Sequence, residues 1–205
     1  MRKFLPVLLL IMSKDKLIDY VLHLKKWFPE KICKKTVEEL ASQKWKKHTY
    51  QDESMGTSAS KNNAKELDVT EKNYSLTYDD ELHDLMWKSL ERYILQEHSY
   101  ARPYHRGWTG FSQIRFNRYQ SDQIMSKHCD HIYDLFSGTP RGIPILSMVG
   151  LLNDDYEGGE FIMFDDYHIK LNTGDCLIFP SIFLYPHEVK PITKGIRYSF
   201  ISWSY

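Results

Sequence analysis

The second half of the chain consists of short segments rich in β-branched and aromatic residues, each followed by a turn. The separating turns include Glu157-Gly158-Gly159, Asn172-Thr173-Gly174 and Lys194-Gly195. Strands this short and this regularly spaced must share a core, so they predict two facing sheets, a sandwich or a jelly roll. The seven predicted strands are Phe111–Tyr119, Pro144–Asn153, Glu160–Phe164, Tyr167–Leu171, Asp175–Pro180, His187–Pro191 and Ile196–Ser204.

The first half of the chain has two helical patterns. Glu30–Ser42 has apolar residues at helical spacing with Pro29 placed to open the helix, and Asp79–His98 has a continuous apolar stripe. Residues 17–28 predict a strand or strand-turn, and the polar stretch Lys46–Lys65 predicts a long loop.

No composition shift divides the chain, so we expect one domain over residues 1–205. Residues 1–100 would form helical support and a loop, and residues 101–205 the sheet core. The predicted fold class is therefore mainly β with N-terminal helices, or α+β.

Charge and cysteine content restrict the partners and the compartment. Lysine plus arginine (27) equals aspartate plus glutamate (27), so no net field attracts nucleic acid or an anionic membrane, and we expect neither partner. Cys33, Cys129 and Cys176 are odd in number and widely spaced, which favours reduced thiols and a reducing compartment.

Residues 1–12 contain two basic residues and a short apolar run that resembles half of a signal peptide. Pro6 interrupts this run, and no small-residue cleavage site follows. We therefore expect a cytoplasmic protein in which the segment is either buried or precedes a true start at Met12, with a partial signal-like segment and export as the alternative.

The segment His128-Cys129-Asp130 places two possible metal ligands at i and i+2, on one face of an extended chain. His187 lies 59 residues further on, between two predicted strands. Two histidines and one carboxylate are the ligand set of non-haem Fe(II) oxygenases, which leaves coordination positions open for cosubstrate and oxygen. The expected metal is therefore Fe(II), bound by His128, Asp130 and His187.

Arg197 follows His187 by ten residues, within the last predicted strand. A buried guanidinium at that distance would suit a five-carbon diacid that chelates the metal at one end and pairs with arginine at the other. Together with the histidine and aspartate spacing, this favours 2-oxoglutarate as cosubstrate.

These motifs resemble the catalytic domain of prolyl 4-hydroxylases, in particular the compact bacterial and phage members. The resemblance is strong over residues 112–205 and weaker at Trp27–Cys33. It implies a double-stranded β-helix (jelly roll) core. The segments that carry it are Arg118-Tyr119, His128-Cys129-Asp130, Leu151–Phe161, Gly174–Pro180 and His187–Trp203.

The resemblance also implies roles for individual residues. Arg197 would bind the distal carboxylate of 2-oxoglutarate, Tyr119 would hydrogen-bond the cosubstrate, and Ser147 and Leu151 would line its pocket. Leu151 stands where some relatives have a tyrosine, so we expect Arg197 to carry more of the carboxylate binding. Ascorbate is implied as an accessory reductant, and a peptidyl proline as the substrate.

Other residues near these motifs receive structural interpretations. Cys129 and His131 should point away from the metal, with Cys129 acting as a small buried hydrophobe. Trp203 is expected in the core rather than at the pocket rim. Gly158-Gly159 is expected to be a turn and nothing more.

Three alternatives remain open. A free amino acid or other small molecule could be the substrate, because loops such as 46–65 and 131–143 would determine specificity and close over it. A nucleic-acid demethylase of the same superfamily is disfavoured, because those enzymes carry a second arginine six residues after the first, where this chain has Trp203. A non-catalytic jelly-roll binding module is the third. The oligomeric state stays undetermined.

Overall fold

The computed structural model describes residues 14–48, 65–70, 76–99, 110–130 and 144–205. The N-terminal segment 1–12, most of the predicted loop 46–65 and the predicted loop 131–143 lie outside the described residues. No helix within the described ranges is long and apolar enough to cross a membrane.

Three helices precede the main sheets. They are α1 (Lys14–Leu17, continued by a 3-10 turn Ile18–Tyr20), α2 (Glu30–Leu40) and α3 (Asp79–Glu91, extended by a π-helical turn Arg92–Glu97). The strands are β1 (Leu22–Leu24), β2 (Lys46–Lys47), β3 (Asp68–Val69), β4 (Arg115–Tyr119), β5 (Met125–His128), β6 (Leu146–Leu151), β7 (Glu157–Gly158), β8 (Phe161–Met163), β9 (Tyr167–Ile169), β10 (Cys176–Pro180), β11 (His187–Val189), β12 (Ile192–Lys194) and β13 (Arg197–Ser204).

The strands form two facing sheets. A large sheet has the order β1-β10-β6-β13-β4-β3-β2, and a small sheet has the order β5-β11-β8-β9, while β12 and β7 pair separately. From β4 onward the chain repeatedly crosses between the two sheets and all their pairings are antiparallel. This crossing pattern is a jelly roll, which confirms the predicted fold class.

The large sheet separates two hydrophobic cores because successive side chains of a strand point to opposite faces. In β13, Tyr198 and Phe200 pack toward the helices, whereas Ile201 packs toward the small sheet. A Cβ on Gly150 would lie 2.1 Å from the ring of Phe200, so only glycine lets this ring fill the helix-side core. Helices α2 and α3 therefore support the sheet from behind.

The predicted helices and the seven predicted strands are confirmed, with ends shortened by one to a few residues. The N-terminal part does more than the predicted helical support, because it also contributes β1, β2 and β3 to the large sheet. Strand β5 was not predicted, since Met125 is the one large apolar residue in its sequence MSKH. Pairing with β11, rather than a local hydrophobic pattern, makes this segment a strand.

Asp175 stabilises the attachment of β1 to the large sheet. Its buried carboxylate accepts hydrogen bonds from the backbone N–H groups of Lys26 (2.8 Å) and Asn172 (3.0 Å), and lies 2.8 Å from Nε2 of His23. Burial alone would raise the pKa of Asp175, but these donors hold it below its usual range.

We expect Asp175→Ala to lower the free energy of unfolding by about 2–4 kcal/mol at pH 7, because two backbone donors lose their acceptor. Since the folded-state pKa is lowered, the contribution of the carboxylate is present above the ordinary aspartate pKa of about 3.9 and is lost as the pH falls below it. Urea unfolding at pH 7 and at lower pH should show the difference between variant and wild type shrinking on acidification. Asp84→Ala, which removes an exposed ion pair with Lys88, is the control and should change stability by less than about 0.5 kcal/mol.

Candidate functional site

The three predicted metal ligands meet at one end of the small sheet. His128 ends β5, His187 begins β11, and the two are directly paired in the strand register. Asp130 follows His128 by two residues, and its Oδ1 lies 3.2 Å from Nε2 of His128 and 3.8 Å from Nε2 of His187. One potential ligand atom from each residue lies within 4.8 Å of the others.

An irregularity in β5 contributes to this arrangement. His187 pairs with His128 and Val189 pairs with Met125, so two residues of β5 oppose the single residue Glu188 of β11. In a regular strand, Met125 and His128 would point to opposite faces. The bulge turns both side chains toward the space between the sheets, as bulges beside active sites often do.

Backbone carbonyls fix the tautomers of both histidines. Nδ1 of His128 donates to the carbonyl of Ser126 (2.8 Å), and Nδ1 of His187 donates to the carbonyl of Tyr185 (3.0 Å). A carbonyl only accepts, so each Nδ1 carries the hydrogen and each Nε2 offers a lone pair toward Asp130. Such support of the second ring nitrogen is typical of metal-binding histidines.

The protonation states also suit a metal ion. Burial lowers the pKa of His187 to about 4 despite the nearby Asp130 carboxylate. Burial alone would raise the pKa of Asp130, but His187, His128 and the Ser147 hydroxyl hold it below its usual range. At neutral pH the cluster thus combines a neutral His187 with an ionised Asp130, the forms that bind metals.

Asp130 has a buried oxygen that no described residue satisfies. Its side chain is buried, and Oδ2 has no hydrogen-bond partner among the described residues. A buried carboxylate oxygen without a partner is costly, and a cation would remove that cost. The donor set of two imidazole nitrogens and one carboxylate therefore fits Fe(II).

Arg197 is a second buried charge, at the opposite end of the same space. It opens β13 opposite Tyr119 of β4, its guanidinium lies 4.7 Å from the Tyr119 ring centroid, and it is 1% exposed. It donates to Oγ of Ser199 (2.9 Å), but forms no ion pair with any carboxylate of the described residues. A buried guanidinium that has no carboxylate partner among the described residues is a candidate site for binding an anion.

An inner pocket connects His187 with Arg197. Its polar lining also includes Asn117, Tyr119 and Ser199, and the remaining lining is apolar: Met125, Val149, Phe161, Val189 and Ile201. Burial raises the pKa of Tyr119, so its phenol stays protonated and able to donate a hydrogen bond. The pocket has a volume of about 20 Å³, so a five-carbon diacid requires its side chains to move.

The predicted pocket residues take different positions. Tyr119 and Arg197 line the inner pocket. Ser147 lies near Asp130, whose pKa it helps to lower, and its hydroxyl is 2.7 Å from that of Ser181. Leu151 is buried opposite Ser199 but is not part of the described lining.

Several lining residues were missed from the sequence. Asn117 precedes Tyr119 by two residues and Ser199 follows Arg197 by two, so the strand period of two would have placed both on the site face. Asn117 is buried, and its Oδ1 has no hydrogen-bond partner among the described residues. The pocket therefore has more polar groups than the resemblance implied.

One structural interpretation was wrong, one is confirmed in part, and one lies outside the described residues. Cys129 is partly exposed rather than buried, and its thiol donates to the carbonyl of Phe183 (3.2 Å). Trp203 is half-buried and packs against the core between the two sheets, with the Arg115 guanidinium 5.1 Å from its ring centroid. His131 is not among the described residues.

We expect His187→Ala and Asp130→Ala to weaken Fe(II) or Mn(II) binding by about 100-fold or more, because each removes one of three ligands. Anaerobic calorimetric titration measures this affinity, and metal-free thermal unfolding verifies that the variants fold. His168→Ala, which removes an exposed histidine outside the cluster, should bind metal as wild type does. Undiminished affinity in His187→Ala would exclude this cluster as the metal site.

Comparison with known proteins places the site in a family context. Residues 114–205 match the family model of the 2OG-Fe(II) oxygenase superfamily. A PKHD-type hydroxylase from Xylella fastidiosa strain M12 is 38% identical over 99 residues, which cover 43% of this chain and 42% of that protein. The chain thus spans about two fifths of the length of the curated relatives it matches.

Solved structures share the fold. A prolyl-4-hydroxylase from Pseudomonas putida superposes with a TM-score of 0.63 at 18% identity, covering 90% of this chain and 91% of that one. A prolyl hydroxylase from Trichoplax adhaerens, in complex with a hypoxia inducible factor peptide fragment, gives 0.61 at 14% identity, with 91% and 84% covered. His128, Asp130, His187 and Arg197 all fall within the residues that match this family model.

Proposed function

We propose that this protein is an Fe(II)- and 2-oxoglutarate-dependent dioxygenase that hydroxylates a peptidyl proline or a similar residue, with succinate and CO2 as coproducts. The observation that carries the proposal is the pairing of two buried sites across one pocket. The His128, Asp130 and His187 cluster lies at one end, and Arg197 lies at the other.

Each residue has a distinct part in this proposal. Nε2 of both histidines and the carboxylate of Asp130 hold the metal, and Arg197 binds the distal carboxylate of the diacid through a charge-assisted pair. Tyr119 donates a hydrogen bond to the diacid. The chemistry supplied by Fe(II) with 2-oxoglutarate is the activation of O2, which oxidises a substrate C–H to C–OH as the cosubstrate loses CO2.

The rest of the inner pocket supports this chemistry by excluding water. Phe161 stacks on His187 with 5.5 Å between ring centroids, and Phe179 contacts the same imidazole edge-on at 5.0 Å. These rings fix the orientation of the ligand and keep solvent from the metal end. Asp130 also favours hydroxylation, because related halogenases lack this carboxylate so that a halide can bind the metal.

A polypeptide substrate is supported by the surface beside the metal. Ile182, Phe183 and Leu184 are exposed in the turn before His187, and Phe183 is 69% exposed. The Phe183 carbonyl accepts a hydrogen bond from the thiol of Cys129, the residue between His128 and Asp130. The three exposed apolar residues therefore form a rim next to the candidate metal cluster. An apolar rim suits a peptide better than a small polar metabolite, and the Trichoplax neighbour binds a peptide fragment.

The state of the cysteines supports a reducing compartment, and we propose a cytoplasmic location. Cys33, Cys129 and Cys176 are all free thiols. Burial raises the pKa of Cys33 and of Cys176 to about 12, so neither forms a reactive thiolate at neutral pH.

We expect Arg197→Ala to raise the dissociation constant of 2-oxoglutarate by about 30-fold or more, equivalent to a loss of about 2 kcal/mol or more, because the distal carboxylate loses its charged partner. Arg197→Lys should recover only part of the loss, since an ammonium cannot form the planar fork. Calorimetry with metal-loaded protein measures the constant. Arg118→Ala is the matched control, because Arg118 pairs with Asp68 outside the inner pocket, and it should bind 2-oxoglutarate normally.

We expect proline-containing peptides to gain one oxygen on proline when incubated with the protein, Fe(II), ascorbate and 2-oxoglutarate. Proline-rich peptides are preferred because their extended helix is already formed and binds at low entropic cost. Mass spectrometry locates the oxygen, and succinate is measured in parallel, with the Asp130→Ala protein as control. Succinate formed with a free amino acid or a methylated nucleotide, and no oxidised peptide, would keep the dioxygenase chemistry and reject the prolyl substrate.

A further inference from the structure

A second and much larger cavity lies behind Arg197. This outer cleft has a volume of about 550 Å³ and includes the exposed side chains of His168 and Lys170. Tyr156, Gly159, His168 and Lys170 contribute to its lining, between the β6–β8 connection and strand β9. It is distinct from the metal end of the inner pocket, because none of the three metal ligands lines it.

Two side chains line both cavities and separate them. Phe161 and Arg197 are part of the inner pocket and also of the outer cleft. Both are almost fully buried, at 3% and 1% exposure. The outer cleft and the inner pocket therefore adjoin at Phe161 and Arg197.

Gly159 lies at this boundary between the two cavities. A Cβ at Gly159 would lie 2.4 Å from Cδ1 of Ile192, 3.1 Å from Cε2 of Tyr156 and 3.3 Å from Cδ of Arg197. Its φ of +67° also favours glycine. Gly159, which was expected to be only a turn, has no side chain that could cover Arg197 or Tyr156. The aliphatic part of Arg197 and the ring of Tyr156 therefore form the barrier between the outer cleft and the inner pocket.

We propose that the outer cleft is a second entrance through which small dicarboxylates, 2-oxoglutarate and succinate, reach and leave Arg197 without passing the metal. This inference rests on the proposed function. A polypeptide bound over the metal end would close the inner pocket on that side, while the cleft stays open. The carboxylate held by Arg197 is also the end of the diacid that lies nearest the cleft.

Lys170 places a positive charge at the proposed entrance, and its effect on the association rate of an anion can be measured. It is exposed at the cleft and forms no ion pair within the described part of the chain. A cation at a mouth raises the association rate of an anion, and salt screens the effect. The cleft also contains Asp154 and Glu160, so reversing the charge of Lys170 makes this mouth strongly acidic.

A passage and a binding site respond differently to substitution. A residue on a passage changes the association and dissociation rates by the same factor and leaves the dissociation constant unchanged. A residue that contacts the bound ligand changes the constant itself. Stopped-flow fluorescence under nitrogen measures both rates of 2-oxoglutarate binding to the metal-loaded protein. It distinguishes a residue on a passage from a residue in the binding site, and no turnover occurs without oxygen.

The first variant opens the barrier. Tyr156→Ala should raise both rates by about threefold or more, with the dissociation constant within about twofold of wild type. Tyr156→Phe keeps the ring and should behave as wild type. Thermal unfolding of both variants verifies that they fold.

The second variant does not depend on the barrier. Lys170→Glu should slow association by about threefold at low salt, and the effect should vanish at about 0.5 M salt. Lys34→Glu makes the same charge change on the exposed face of α2 and should leave the rate near that of wild type.

The outcomes separate this inference from the proposed function. If Tyr156→Ala and Lys170→Glu leave both rates at the values of their controls, the cleft is not an entrance, although 2-oxoglutarate binding still supports the dioxygenase. A change in the dissociation rate alone, which alters the dissociation constant, overturns the entrance as well. If metal-loaded wild-type protein does not bind 2-oxoglutarate, the proposed function and the entrance both fail.

Discussion

The pairing of His128 with His187 across β5 and β11 is the contact on which the site depends. It brings together two residues 59 positions apart in the sequence and places Asp130 against both imidazoles. The bulge in β5 belongs to the same pairing, since it lets Met125 line the pocket while His128 lies against Asp130 and His187. A shift of one residue in this register would turn His128 away from its partners.

The large sheet supplies the opposite end of the site. Its strands β4 and β13 present Tyr119 and Arg197 in register, so the buried guanidinium lies over a phenol ring and faces the pocket. Helices α2 and α3 do not contribute to the described pocket lining, but they cover the other face of this sheet and fill the core around Phe200. The two charged ends of the pocket are therefore held by different sheets, and the jelly roll fixes the distance between them.

The distribution of polar groups explains why a diacid is the expected occupant. An isolated buried carboxylate at one end and an isolated buried guanidinium at the other would both be unfavourable without partners. One divalent cation and one dicarboxylate would satisfy both ends together. Arg197, at the end of the inner pocket away from the His128, Asp130 and His187 cluster, also lines the outer cleft.

The sequence by itself predicted the two main helices and most strands, because these follow from local periodicity. Motif spacing and the resemblance to prolyl 4-hydroxylases together predicted the candidate metal cluster and Arg197. The sequence did not predict β5, whose segment has a single large apolar residue and becomes a strand only through β11. Nor did it predict that Cys129 is partly exposed, or that Asn117 and Ser199 join the pocket. Gly159 was assigned to a turn, but its role beside Arg197 depends on how the β6–β8 connection packs against β13. Local pattern decides which residues form an element, whereas strand register and the contact between two sheets decide which of them face one another.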